Sequence, residues 1–355
     1  MNRKKGTSLV FFISIFFSIA YLLLSAKPLS KEFQFSPVWK ISISYPTITD
    51  PKSVNDKLLY YHLGQTIGYF TTAGDVTLFK TFPARTAISD HYYAVYDSDS
   101  QNIPFYNFKN EKCGEIKAIG YPFFIDDLIY IFLPGGSSFS KCQNNGELNW
   151  TYEGTLPISA FSANENYTAV GFADGNIKLI DNQTGHIELD YEPGGSDYPV
   201  ILGLALSPDS QYIASISGQD KQRFVLTHKE GNQQKIIYHN YIDDNSPYRT
   251  IVYFTKDSRR IFYNFKNTLG IYDLKTNKNI TLPLKDKIIS IREDENFVYI
   301  LTKNKKHYTV TIIENTNTIE GSFSFDADTA FIQAYNNNLF VGKDSSISRI
   351  EISRN

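Results

Sequence analysis

Apolar and polar positions along this chain repeat one phrase: an apolar residue, a polar turn centred on Asn or Asp, then an apolar run. It is clearest at Phe161-Ser-Ala-Asn-Glu-Asn-Tyr-Thr-Ala-Val170 and Leu206-Ser-Pro-Asp-Ser-Gln-Tyr-Ile-Ala-Ser215. Phe254-Thr-Lys-Asp-Ser-Arg-Arg-Ile-Phe-Tyr263 and Ile291-Arg-Glu-Asp-Glu-Asn-Phe-Val-Tyr-Ile300 are further copies. Short apolar runs bounded by turn residues are the mark of strands, and no amphipathic helical pattern interrupts them from the linker to the C-terminus. Strands following a polar turn are expected near Tyr69, Tyr93, Ile129, Ala169, Ile213, Ile261, Phe297 and Leu339.

The unit between Phe161 and Tyr191 reads strand by strand. Tyr167 to Phe172 is a strand, Ala173-Asp174-Gly175-Asn176 a hairpin turn, and Ile177 to Ile180 the returning strand. Asp-Gly favours this turn because Gly adopts positive φ without steric cost. Asp181-Asn-Gln-Thr-Gly185 then turns the chain into a third strand, Ile187 to Tyr191, and Asp273-Leu-Lys-Thr-Asn277 repeats that turn with Asn in place of Gly. Asn is the residue best able to take over a left-handed position, so the two turns are expected to share a backbone. Asp and Thr in them can accept bonds from nearby amides.

A unit returning roughly every 40 to 45 residues is the period of propeller blades. The expected fold is therefore all-β: one β-propeller of four-stranded blades. Counting strands gives eight blades; the short first interval leaves seven, with one degenerate hairpin, as the alternative. The last unit, Leu339 to Gly342 and Ile347 to Ile352, lacks a strand, and Val38 to Tyr45 is an orphan strand near the start. Pairing the two would close the ring and remove an exposed edge.

Composition agrees. Among 355 residues, 26 are Phe and 25 Tyr against a single Met, a bias toward side chains that suit pleated, half-buried strands. The 35 Lys and Arg nearly balance 37 Asp and Glu, leaving no field that would recruit a polyanion, so nucleic acid is not an expected partner.

The N-terminus adds an export signal. Met1-Asn-Arg-Lys-Lys5 is basic, and Leu9 to Leu24 is apolar except for Ser14 and Ser18, a stretch between a signal-peptide core and a spanning helix in length. One N-terminal hydrophobic helix anchoring the chain in the cytoplasmic membrane is expected, with the propeller outside the cytoplasm. The alternative is export after signal-peptide cleavage near Ala26. The organisation is then 1–26 anchor or signal peptide, 27–37 linker and 38–355 propeller. Cys113 and Cys142, the chain's two cysteines, lie in the exported part, where a disulfide could persist if their Cα atoms came within about 7 Å.

Candidate chemistry is sparse. The histidines at 62, 91, 186, 228, 239 and 307 show no metal-ligand spacing. Asp126-Asp127 and Asp243-Asp244 could offer oxygens to a hard cation, although Asp is also the usual residue of solvated turns. Pro134-Gly135-Gly136 and Pro193-Gly194-Gly195 are not followed by the helix a phosphate cradle needs, so both are expected to be turns. Asn149, Asn166, Asn182 and Asn279 fit the glycosylation sequon. No catalytic, cofactor-binding or metal-binding residue is assigned, and no cofactor.

Two sets of motifs resemble known families. Gly146-Glu-Leu-Asn-Trp150-Thr-Tyr-Glu, with the Asp174-Gly175 and Thr184-Gly185 turns, resembles the PQQ-type repeat. Leu204-Ala-Leu-Ser-Pro-Asp209-Ser-Gln-Tyr-Ile-Ala214 is similar to WD40 and TolB-type units. The resemblance implies either a quinoprotein dehydrogenase, an envelope lipoprotein assisting outer-membrane protein assembly, or a protein-interaction platform. The dehydrogenase role needs a cofactor seat, a Ca²⁺ site and a catalytic Asp, and such enzymes resemble this chain neither in length nor in a vicinal cysteine pair. The expected function is a membrane-tethered, extracytoplasmic scaffold for protein partners, not an enzyme; the alternative is a small-ligand sensor or enzyme using the central channel.

Overall fold

The computed structural model describes residues 12–21, 33–53, 55–231, 233–314 and 318–354. These form eight antiparallel sheets in ring order, so the eight-blade count holds. Blade 1 spans 58–81, blade 2 85–116, blade 3 121–152, blade 4 158–191, blade 5 201–241, blade 6 252–283 and blade 7 287–326. Blade 8 combines 330–354 with Phe33–Ser42, which pairs antiparallel with Ser346–Arg354 and closes the ring. All eight strands expected after polar turns are the second strands of their blades.

Two details differ from expectation. Blade 1 has three strands, and its fourth place is taken by a single parallel bridge from Ile48 to Val76, where the Thr49 amide donates to the Val76 carbonyl at 2.9 Å. The missing strand explains the short first interval. The closing strand also begins at Phe33, inside the expected linker, and ends at Ser42 instead of Tyr45. Ser36-Pro37 looks like a linker in sequence, but on an outermost strand Pro is tolerated, and the register shifts between Pro37 and Trp39.

Aromatic residues hold neighbouring blades together, which accounts for their abundance. Phe161 of blade 4 lies among four rings of blade 3, with centroids 5.1 Å from Tyr130 and Phe132, 5.3 Å from Phe139 and 5.8 Å from Phe123. Each such pair adds about 0.5–1.5 kcal/mol beyond area burial. Phe224 of blade 5 stacks on Tyr263 of blade 6 at 4.1 Å. The closing strand reaches both ways: Phe33 meets Phe297 of blade 7 at 5.1 Å, and Trp39 meets Phe70 of blade 1 at 6.4 Å.

Both tryptophans dock on a turn of the next blade. Trp150 Nε1 donates to the Asn182 carbonyl at 3.0 Å, and Trp39 Nε1 to the Thr72 carbonyl at 3.1 Å. Gly185 and Asn277 take φ of 73° and 53°, the shared left-handed backbone expected of the two turns. Asp181 Oδ1 accepts from the Thr184 amide and hydroxyl, and Asp273 Oδ1 from those of Thr276.

The polar turns do more than close hairpins. Asn164 Nδ2 of blade 4 donates to the Ser207 carbonyl of blade 5 at 2.9 Å. The Asp209 amide donates to Ser258 Oγ of blade 6 at 3.3 Å, and the Lys256 amide to Glu293 Oε2 of blade 7 at 2.8 Å. Asp294 of blade 7 accepts from the Asn337 amide of blade 8. A chain of bonds thus runs from turn to turn along one face, from blade 4 to blade 8.

Residues 12–21 are helical. Among the described residues no helix is long and apolar enough to cross a membrane. The expected apolar span from Leu9 to Leu24 extends beyond this helix, and residues 9–11 and 22–24 lie outside the described residues, as does the cleavage point near Ala26. Cys113 and Cys142 are free thiols on the fourth strand of blade 2 and the third strand of blade 3. Burial pushes the Cys142 thiol up to about 12.

Candidate functional site

Each blade runs from an inner strand outward, so the ring has two distinct faces. One carries the turns between first and second and between third and fourth strands, including the repeated polar turns; this is the turn face. The other carries the remaining turns and the connections from each outer strand to the next inner strand; this is the connection face. Phe33 pairs with Arg354 and Ser42 with Ser346, beside the turn between the second and third strands of blade 8. The N-terminal chain therefore enters blade 8 at the turn face and leaves it at the connection face.

Exposed apolar side chains gather on the connection face of blades 3 to 6. Ile119, Tyr121, Leu156, Tyr198, Tyr241 and Tyr248 lie at or beside the outer-to-inner connections, with Tyr198 64% and Tyr248 67% exposed. Cations sit on two of these rings: the Arg85 guanidinium is 4.6 Å from the Tyr121 centroid, and Lys287 Nζ 5.6 Å from that of Tyr248.

Beneath this face the start of the inner strands lines an open cavity of about 450 Å³. Its walls are Phe123, Phe132, Phe161 and Leu202, and Arg249 supplies its one charge. The Arg249 guanidinium donates to the Ile158 carbonyl at 3.2 Å. The Thr250 amide donates to the Leu202 carbonyl at 2.9 Å, which fixes this connection to the inner strand of blade 5. Close approach there depends on Gly203, since a Cβ at that position would fall 2.4 Å from Thr250 Oγ1. That hydroxyl is buried without a hydrogen-bond partner among the described residues.

The other mouth of the channel is polar. Arg292 donates to Gln333 Oε1 at 3.2 Å and to the Tyr60 hydroxyl at 3.1 Å, linking blades 7, 8 and 1. Glu293 accepts from the Tyr253 hydroxyl at 3.1 Å. Burial raises the carboxyls of Asp90 and Glu293 above the usual range, and for Asp90 the fields of Lys57 and Arg292 oppose the rise. Sequence reasoning missed this cluster, because Tyr60 and Arg292 are 232 residues apart and only ring closure joins them.

The residues singled out in the sequence take structural places. Asp126 occupies the first turn of blade 3 at φ 49°, and its charge is felt by Asp90 in the polar mouth. Asp243 pairs with Lys266 Nζ at 3.0 Å, while Asp244 accepts from the Lys266 and Ser246 amides. Among the described residues no group of three His, Cys, Asp or Glu could hold a metal ion. The histidines are dispersed over blades 1, 2, 4, 5 and 7. Gly135 and Gly136 lie in a turn of blade 3, and Gly194 and Gly195 in the connection from blade 4 to blade 5. Asn182, one of the sequon residues, is 3% exposed, and its side chain bonds Thr168 Oγ1 and the Asn164 carbonyl.

A family model described as beta-propeller protein matches residues 1–355. The chain belongs to that beta-propeller family. It is similar to an uncharacterized protein of Treponema pallidum (strain Nichols), 26% identical over 363 residues, which span 99% of this chain and 96% of the relative. Among solved structures, BamB from Moraxella catarrhalis superposes with a TM-score of 0.62 at 10% identity, over 90% of this chain and 100% of BamB. The computationally designed Ika8 protein does so with a TM-score of 0.64 at 14% identity, over 83% of this chain and 93% of that one. At such identities the likeness to the two structures is one of fold.

Proposed function

We propose that the protein is a membrane-tethered propeller, held outside the cytoplasm, that binds a protein partner on the connection face of blades 3 to 6. The carrying observation is the cluster of exposed apolar side chains around Tyr198, Tyr241 and Tyr248. Protein interfaces are enriched in aromatic residues, which act as anchors, and a concentration on one face of a domain marks such a surface. The tether rests on the basic Arg3, Lys4 and Lys5 followed by the apolar Leu9 to Leu24. It would attach at the turn face, leaving the aromatic face directed away from the membrane. The likeness of the Trp150 and Thr184-Gly185 motifs to PQQ-type repeats is a second support for an envelope role.

The test is recovery of a stoichiometric partner from solubilised envelope by the full chain, compared with a Tyr198→Ser, Tyr248→Ser double variant. Both side chains are exposed, so the variant is expected to fold normally and lose the partner. Equal recovery by both chains, or turnover of a metabolite by the purified ring with no partner, would overturn the proposal. The second reading, a small-ligand sensor or enzyme using the channel, draws on the cavity of about 450 Å³, a size within the range of small-molecule sites. A ligand held there would raise the melting temperature in a metabolite screen.

A further inference from the structure

We infer that the cavity beside Arg249 receives the C-terminal residue of a partner chain, with an apolar side chain among the aromatic walls and the terminal carboxylate on the guanidinium. This rests on the protein-binding role proposed above and names the part of the partner that is bound. Three observations carry it.

The first is charge. The Arg249 side chain spends one donor on the Ile158 carbonyl, and no acidic residue lines the cavity. Its remaining N–H groups match the planar, two-oxygen geometry of a carboxylate. Thr250 lies on the same wall, its amide held on the Leu202 carbonyl at 2.9 Å. The second is the body of the site. Phe123, Phe132, Phe161 and Leu202 form a wall for one apolar side chain, and Gly203 keeps the floor close to Thr250.

The third observation separates a chain end from a free acid. Phe123 is 41% and Tyr121 46% exposed, so the cavity opens broadly to solvent. Small-molecule sites usually bury most of their ligand. A chain whose last residue fills the cavity continues instead across the exposed apolar residues of the connection face, Leu156 and Tyr198 among them.

Fluorescence anisotropy with the full chain in detergent tests this, using N-terminally labelled tetrapeptides Gly-Ser-Ala-X with X as Phe, Leu or Val. Each is compared as free carboxylate and as C-terminal amide, with N-acetylphenylalanine as competitor. At least one carboxylate peptide is expected to bind about tenfold or more tightly than its amide, the scale of a charged hydrogen bond. Arg249→Gln, at an exposed position, is expected to fold with an unchanged melting temperature and to erase the difference. Equal binding of carboxylate and amide across the series overturns the inference, as does discrimination that survives Arg249→Gln. Binding of N-acetylphenylalanine with no binding of any peptide also overturns it, in favour of a small acid. A partner recovered equally by wild type and Arg249→Gln would sink the inference while leaving the protein-binding role intact.

Discussion

Gly185 and Asn277 show how much of this fold is decided one residue at a time. Both are left-handed, but a Cβ on Gly185 would lie 2.8 Å from Cγ of Trp150, which docks on that turn. Gly185→Ala therefore combines backbone strain with a clash and is expected to cost about 2 kcal/mol or more in urea unfolding. Asn277→Gly is expected to change stability by no more than about 0.5 kcal/mol, because the position already favours Gly. Asp90 carries a different prediction. Burial raises its carboxyl, so the folded chain keeps the proton at pH values where the unfolded chain has lost it. Stability from this group is full below the unfolded pKa and falls as pH rises through the folded one. Asp90→Asn is expected to raise the melting temperature at neutral pH, with the gain shrinking as pH falls through the raised folded pKa and gone below the unfolded value of about 4. A gain independent of pH would contradict this. Turn residues such as Gly175 and Asn277 were legible in sequence because their constraint is local. Tyr60, Arg292 and Gln333 were not, since nothing local relates them.

At the scale of elements, the second strand of every blade could be read from the sequence, because each follows a polar turn and enters a buried apolar run. Edge elements were harder. The closing strand starts at Phe33, where an alternating Phe-Gln-Phe-Ser is followed by Pro37, a residue that usually ends a strand but fits an outer edge. The fourth strand of blade 1 could not be anticipated, as its replacement is one bridge from Ile48. Phe33–Ser42 pairs along the length of the last strand and packs on blades 7 and 1 through Phe33 and Trp39. Removing residues 33–42 is expected to expose the edge of blade 8 and abolish cooperative thermal unfolding of the whole ring. A deletion variant that stays soluble and melts in one transition near the wild-type temperature would contradict closure by this strand.

For the molecule as a whole, closing eight blades into a ring creates features that no blade contains: a polar mouth, an aromatic mouth and two faces of different character. The sequence signalled the ring through its period but not the faces, since Tyr121, Tyr198 and Tyr248 stand in or beside three separate connections. The repeated polar turns bond blades 4 to 8 in succession along the turn face. The connection face of blades 3 to 6 carries the exposed tyrosines Tyr121, Tyr198, Tyr241 and Tyr248, opposite the point where the N-terminal chain enters. The most direct measurement is site-specific photo-cross-linking of the full chain in intact cells. A photoreactive residue would be placed at Tyr198 or Tyr248 on the connection face, and at Glu165 or Glu295 on the turn face. One discrete cross-linked protein from Tyr198 and Tyr248, and none from Glu165 and Glu295, is the predicted result. Cross-links only from the turn face, or from neither face, would contradict it.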